Sequence, residues 1–225
     1  MKDLHRKAVM GILRTLFLLA AAIFIPAWTL RYWQGWVCLA MFFIPACAIS
    51  VWVARNDPAL LERRLKAGPK AETRTAQKIV QTITAIVFLA DFLISALDHR
   101  FGWSSVPVYA AIAGDLMMVI GFATTFRVFK VNSYTSGVIE VAQDQRVIST
   151  GPYGVLRHPM YAGAMIMLFG IPLALGSWWG MLVNVPLTAA LVWRLLDEER
   201  FLAEHLSGYR DYMRKVRWRL VPFIF

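Results

Sequence analysis

Residues 79–97 read IVQTITAIVFLADFLISAL, an unbroken apolar run whose one charged side chain is Asp91. A helix needs about 20 predominantly apolar residues to cross a hydrocarbon layer of about 30 Å, so the run reads as a membrane span. Residues 9–30, 36–54 and 106–126 form similar runs, each long enough to cross alone. Two shorter runs, 160–175 and 178–196, are separated by Gly176-Ser177 and read as a tight helical hairpin. The expected fold is an all-α polytopic membrane protein with about six transmembrane helices. It includes the short C-terminal hairpin and ends in a cytoplasmic C-terminal helix. Residues 1–126 are expected to be a four-helix transmembrane scaffold, and residues 127–225 a cofactor-binding catalytic region.

Composition agrees with a membrane setting. Of 225 residues, 58% are hydrophobic and 17% charged, and the mean hydropathy is +0.53. A disordered chain is excluded, because such chains lack apolar residues. Two cysteines exclude a disulfide scaffold. Cys38 and Cys47 both lie in the second run and read as core thiols. No metal-ligand spacing occurs, so no metal is expected.

The net charge is +10, from 24 Lys and Arg against 14 Asp and Glu. In a soluble protein this excess would point to nucleic acid. Here no basic patch alternates with stacking aromatics outside the apolar runs, so no nucleic-acid partner is expected. The charge is instead distributed by topology. Lys and Arg gather at the N-terminus (Lys2, Arg6, Lys7), in 55–78, in 127–157 and in the tail, while the opposite loops hold Arg31 and Arg100. Six crossings with both termini cytoplasmic fit this asymmetry. Anionic membrane lipids are then expected neighbours. Residues 1–30 have the basic start and the Ala20-Ala21-Ala22 run of a signal peptide. The apolar run continues beyond it, so the segment reads as an uncleaved anchor.

Asp91 and Asp115 lie within spans, where each costs ~2.5–3.5 kcal/mol on insertion scales. They are expected at similar depth toward the outer side, facing the bundle interior, protonated or hydrogen-bonded. The competing reading is a proton or ion path in a transporter, although no internal repeat supports it.

The chain turns polar at 127–158, RVFKVNSYTSGVIEVAQDQRVISTGPYGVLRH. Residues 138–141 and 146–148 flank Gln143-Asp144 and suggest a small surface hairpin. Gly151-Pro152-Tyr153-Gly154 is a turn. Arg157-His158-Pro159 then opens a helix, with Pro159 suited to its first position. A helix start offers free N–H groups and partial positive charge, a natural place for a carboxylate or phosphate. In the competing reading Arg157 meets headgroups and His158 caps the helix.

Beyond the last run, Leu191, Leu195, Leu202, Leu206, Tyr209 and Met213 form a stripe at three-to-four spacing. Glu198 falls on that stripe, and Glu199 is turned about 100° from it. Arg194 stands four residues before Glu198 and is expected to pair with it. The plainer reading is an amphipathic helix on the inner leaflet. Together the two polar elements describe a pocket for a small zwitterion bearing an aromatic ring.

The run Gly151-Pro152-Tyr153 … Arg157-His158-Pro159-Met160-Tyr161-Ala162-Gly163 resembles the signature of the isoprenylcysteine carboxyl methyltransferase family, which includes phospholipid N-methyltransferases. Asn132-Ser133-Tyr134 and residues 145–150 are similar to its bacterial members. Glu198-Glu199, followed by Tyr209 and Tyr212, resembles its paired acids and C-terminal tyrosines. The resemblance covers residues 127–225. It implies S-adenosylmethionine as methyl donor, a lipophilic or lipid acceptor entering sideways from the bilayer, and a place in a bacterial inner membrane. It implies catalytic roles for Arg157, Glu198 and Glu199. It implies a cofactor pocket of Gly151, Tyr153, His158, Pro159, Tyr161, Gly163, Glu198, Glu199, Tyr209 and Tyr212. Membrane sterol reductases, which use NADPH, share the Gly-Pro-Tyr … Arg-His-Pro pattern, and the tail Arg217-Trp218-Arg219-Leu220-Val221-Pro222-Phe223 is similar to theirs. They are the second reading, and a transporter or accessory protein is the third. The oligomeric state is not legible in the sequence.

Overall fold

The computed structural model describes residues 2–225; the Lys2 side chain, counted above among the N-terminal charges, lies outside what is described. The chain is all-helical, with no strand among the described residues: α1 (Lys2–Ala27), α2 (Trp33–Asn56), α3 (Pro58–Leu65), α4 (Thr75–Phe101), α5 (Val108–Val131), α6 (Pro159–Ala174), α7 (Trp178–His205) and α8 (Tyr209–Lys215). Five of them, α1, α2, α4, α5 and α7, are long and apolar enough to cross a membrane. The sixth expected crossing, α6, has 16 residues and is about 24 Å long at 1.5 Å per residue, short of the hydrocarbon thickness.

The short loops meet at one end of the bundle. Tyr32, before α2, donates to the Leu175 carbonyl at the end of α6 and stacks on His99 of α4 at 3.8 Å. Asp98 of α4 accepts from Ser104 N at 2.7 Å and from Ser177 Oγ at 2.5 Å, which ties the α4–α5 loop to the α6–α7 turn. Ser177 also caps α7 by accepting from Gly180 N. Gly176, at φ +75°, makes that turn, a conformation costly for other residues. Trp28, Trp33, Trp36, Trp103, Trp178 and Trp179 are exposed around this end, as interfacial aromatics are. The long polar segments 57–74, 132–158 and 206–225 gather at the opposite end, where the site lies.

Helices cannot be driven together by the hydrophobic effect within lipid, so close backbone approach has to hold them. The α5–α6 pair shows how. Gly114 and Gly121 of α5 face Gly170 and Gly163 of α6 in antiparallel register. A Cβ on Gly121 would stand 2.5 Å from Gly163 O, and one on Gly114 would stand 2.6 Å from Gly170 O. Pro172 lacks the N–H that would serve Leu168 O, and Asn184 Nδ2 of α7 donates to that carbonyl instead at 3.1 Å.

Several expectations are corrected. Residues 138–148 are irregular around a single turn at 143–144, with no strand ladder: the Ile139 N–H goes to the Glu72 carboxylate at 3.1 Å. Cys38 is buried, but Cys47 is exposed and is no core thiol. The stripe from Leu191 to Met213 is not one helix. It breaks after His205, and Gly208 at φ +80° starts α8. Residues 55–78 contain α3, capped by Asp57, whose carboxylate accepts from Leu60 N at 2.9 Å. Asp91 and Asp115 are buried in the bundle, as expected, yet neither is hydrogen-bonded through its buried oxygens.

Candidate active site

At the polar end, α6, α7, α8 and segment 132–158 enclose a cleft of about 850 Å³ counted to its open mouth. Its wall includes Tyr134, Arg157, His158, Tyr161, Arg194, Glu198, Tyr209 and Tyr212, so Arg157 and Glu198 open onto one cavity.

The start of α6 forms one side. Pro159 occupies the first helical position, and His158 stands at the cap without a side-chain capping bond. The first helical bond is Ala162 N to His158 O, so the N–H groups of Met160 and Tyr161 are left without helical acceptors. They give this wall its partial positive charge.

Beneath the wall is a buried ionic node. Glu199 Oε1 lies 3.1 Å from Arg157 Nε and 3.2 Å from His158 Nε2, and Glu199 Oε2 accepts from Arg219 Nε at 2.9 Å. Arg157 N and His158 N donate to the carbonyls of Trp218 and Arg219. The node thus pins the C-terminal tail across the start of α6. Both Glu199 oxygens are engaged, and Glu199 does not line the cleft.

Glu198 and Glu140 are the carboxylates on the wall, and Glu140 Oε1 accepts from Ser136 Oγ at 3.0 Å. The expected direct pair of Glu198 with Arg194 is not made, because Tyr161 of α6 stands between them. Arg194 Nε donates to Tyr161 Oη at 3.1 Å, and Tyr161 Oη donates to Glu198 Oε2 at 2.7 Å. A phenol has one hydrogen, so the bond from Arg194 leaves that hydrogen for Glu198. Arg194 is fixed in turn by Gln77 Oε1 at 2.8 Å and Gly137 O at 3.0 Å. Glu72, in the 55–78 segment, braces the same region through Ile139 N and Gln81 Nε2.

Tyrosines close the remaining sides. Asn132 Nδ2 donates to Tyr153 Oη at 2.8 Å, and Tyr212 Oη donates to the Tyr153 carbonyl at 2.8 Å. Burial pushes the Tyr153 phenol up to about 12, against the pull of the Asn132 bond. Burial also raises Tyr209 and Tyr212 above the ordinary tyrosine range. All three phenols are therefore neutral hydrogen-bonding walls near neutral pH.

Three motif residues sit off the cleft. Gly151 is exposed, at φ +58°, on a separate groove with Arg127 and Lys130. Pro159 is buried in the first turn of α6. Gly163 packs on Gly121 and Thr124 in the helix seam. Sequence reasoning missed Arg194 as a member of the wall, and Glu72 and Gln77 as its braces. The first has a helix-spacing signal; the other two have none.

The family model for phospholipid methyltransferases matches residues 109–208. The Delta(14)-sterol reductase of Arabidopsis thaliana is 27% identical over 132 residues, covering 53% of this chain and 36% of that protein. The Delta(14)-sterol reductase TM7SF2 of Mus musculus is 28% identical over 90 residues, covering 39% and 22%. The chain thus spans well under half the length of these curated relatives. In fold it is similar to the eukaryotic intramembrane Ras methyltransferase ICMT, an isoprenylcysteine carboxyl methyltransferase. That match has a TM-score of 0.51 and 17% identity, over 96% of this chain and 86% of the other. The chain is thus similar in sequence to phospholipid methyltransferases over residues 109–208, and in fold to an isoprenylcysteine carboxyl methyltransferase over nearly its whole length.

Proposed function

We propose that this integral membrane protein is an S-adenosylmethionine-dependent methyltransferase acting on a lipophilic acceptor. In this reading it lies in a bacterial inner membrane, with both termini and the cleft on the cytoplasmic side. Residues 1–126 are the scaffold and residues 127–225 hold the cofactor. The observation that carries the reading is the single cleft shared by the α6 start and Glu198.

The donor set fits a zwitterion with an aromatic ring. The free N–H groups of α6, backed by His158, receive its carboxylate. Glu198, anchored through one oxygen by Tyr161, receives its ammonium or ribose hydroxyls with the other. Tyr153, Tyr209 and Tyr212 wall the ring. When bound, the cofactor supplies an electrophilic methyl group on sulfonium.

The protein's share is alignment and exclusion of water, and alignment alone is worth several kcal/mol of barrier. A carboxylate or thiolate acceptor needs no base. For an amine acceptor, Glu198 is a wall carboxylate able to take the proton. Arg157 and Glu199 act by holding the α6 start against the tail, a positioning role. The matches to sterol reductases favour a second reading, reduction with NADPH. Calorimetry on the purified protein separates the two: S-adenosylhomocysteine binds and NADPH does not. Binding of NADPH instead, or of neither, refutes the proposal.

A further inference from the structure

Helix α4 carries two fully buried carboxylates seven residues apart on one face, Asp98 and Asp91. Asp98 accepts three hydrogen bonds, from Ser104 N, Ser104 Oγ and Ser177 Oγ. Asp91 accepts none: both oxygens are buried without a donor. Among the described residues, no Lys, Arg or His stands within ion-pair distance of it. One turn along, the buried Ser95 hydroxyl is also unpartnered. The helix hydroxyls of Thr15, Thr82, Thr124 and Thr125 bond back to the carbonyl four residues earlier, while Thr84 Oγ1 of α4 is unpartnered like Ser95 Oγ. Ser95 faces Gly180 of α7, where an added Cβ would strike its Oγ and lie 3.0 Å from Asp91 Oδ1. One turn along α7, buried Asn184 gives its Nδ2 to Leu168 O and leaves Oδ1 unpartnered.

Four buried oxygens of Asp91, Ser95 and Asn184 are thus left without partners, and the hydrogen available among them is that of Ser95. A proton on Asp91 would satisfy one contact and leave the others orphaned. A cation satisfies oxygens collectively. The site has one formal negative charge, which a single positive charge balances within the bilayer. Hard oxygen donors without nitrogen or sulfur select hard metal ions. We propose that Asp91, Ser95 and Asn184 bind a monovalent alkali-metal cation between α4 and α7. The site is remote from the cleft and does not depend on the reaction proposed above.

The test is thermal unfolding of the full-length protein in detergent, in sodium, potassium or choline chloride at equal ionic strength. Choline is too large to enter. With sodium or potassium about 100-fold above its dissociation constant, the apparent Tm rises roughly 5–10 °C over that in choline, saturably. Asp91→Asn keeps the shape and abolishes the response. Should that variant fail to fold, Ser95→Ala carries the test, with the cation's apparent affinity falling about tenfold. Equal Tm in all three salts overturns the proposal, and so does a full cation response in Asp91→Asn or, if that variant cannot be made, in Ser95→Ala.

Discussion

Replacing Glu199 with Gln tests the ionic node directly. In the wild type the Glu199 side chain is 4% exposed and its Arg157 partner 6%. The amide keeps the volume but removes the negative charge, and it has one acceptor oxygen where the carboxylate has two. Arg157 Nε, 3.1 Å from Oε1, is then left as a buried cation without a counter-ion. Breaking a buried pair in this way costs about 3–5 kcal/mol. The bond to Arg219, which is about one-third exposed, adds at most about 1 kcal/mol. For a chain of this size, each kcal/mol moves Tm by about 2–4 °C, so the apparent Tm falls by roughly 6–24 °C. Nine tryptophans make intrinsic fluorescence a suitable readout in detergent. A Glu199→Gln protein melting within about 2 °C of wild type would refute the claim that this carboxylate holds the tail and the start of α6 together.

Glu198→Gln should do the reverse. Its Tm stays near that of wild type, while S-adenosylhomocysteine affinity measured by calorimetry falls about 10- to 100-fold, the worth of a charged hydrogen bond. Gly121→Val should fail to yield folded protein, or melt well below wild type by fluorescence, because the new side chain meets Gly163 O and Met167. Tyr153, raised from 10.0 to about 12 by burial, contributes stability that is complete below pH 10 and is lost as pH rises toward 12. Tyr153→Phe should flatten that part of an alkaline melting series.

The spans were legible because lipid imposes a simple rule, about 20 apolar residues per crossing, and the runs at 79–97 and 106–126 satisfy it. Segment 55–78 was less legible. The Asp57-Pro58 signal of α3 is present, but it is submerged in a run of charges. Residues 138–148 alternate like strands, yet the structure uses them as a cover, with Ile139 buried and its N–H spent on Glu72. The acids show the limit of helical spacing. Four-residue separation predicts that Arg194 and Glu198 can meet, but not that Tyr161 from another helix will stand between them. Adjacent Glu198 and Glu199 differ by one step around α7, and that step separates a wall of the cleft from a buried clamp. Glu72 and Gln77 carry no local signal, because their partners lie far away in sequence.

The glycine contacts between α5 and α6 bear on traffic. Backbone meets backbone at Gly114 with Gly170 and at Gly121 with Gly163, so no acyl or prenyl chain passes between these helices. A hydrophobic molecule travelling from the bilayer to the cleft must skirt that sealed wall and arrive along another flank of α6.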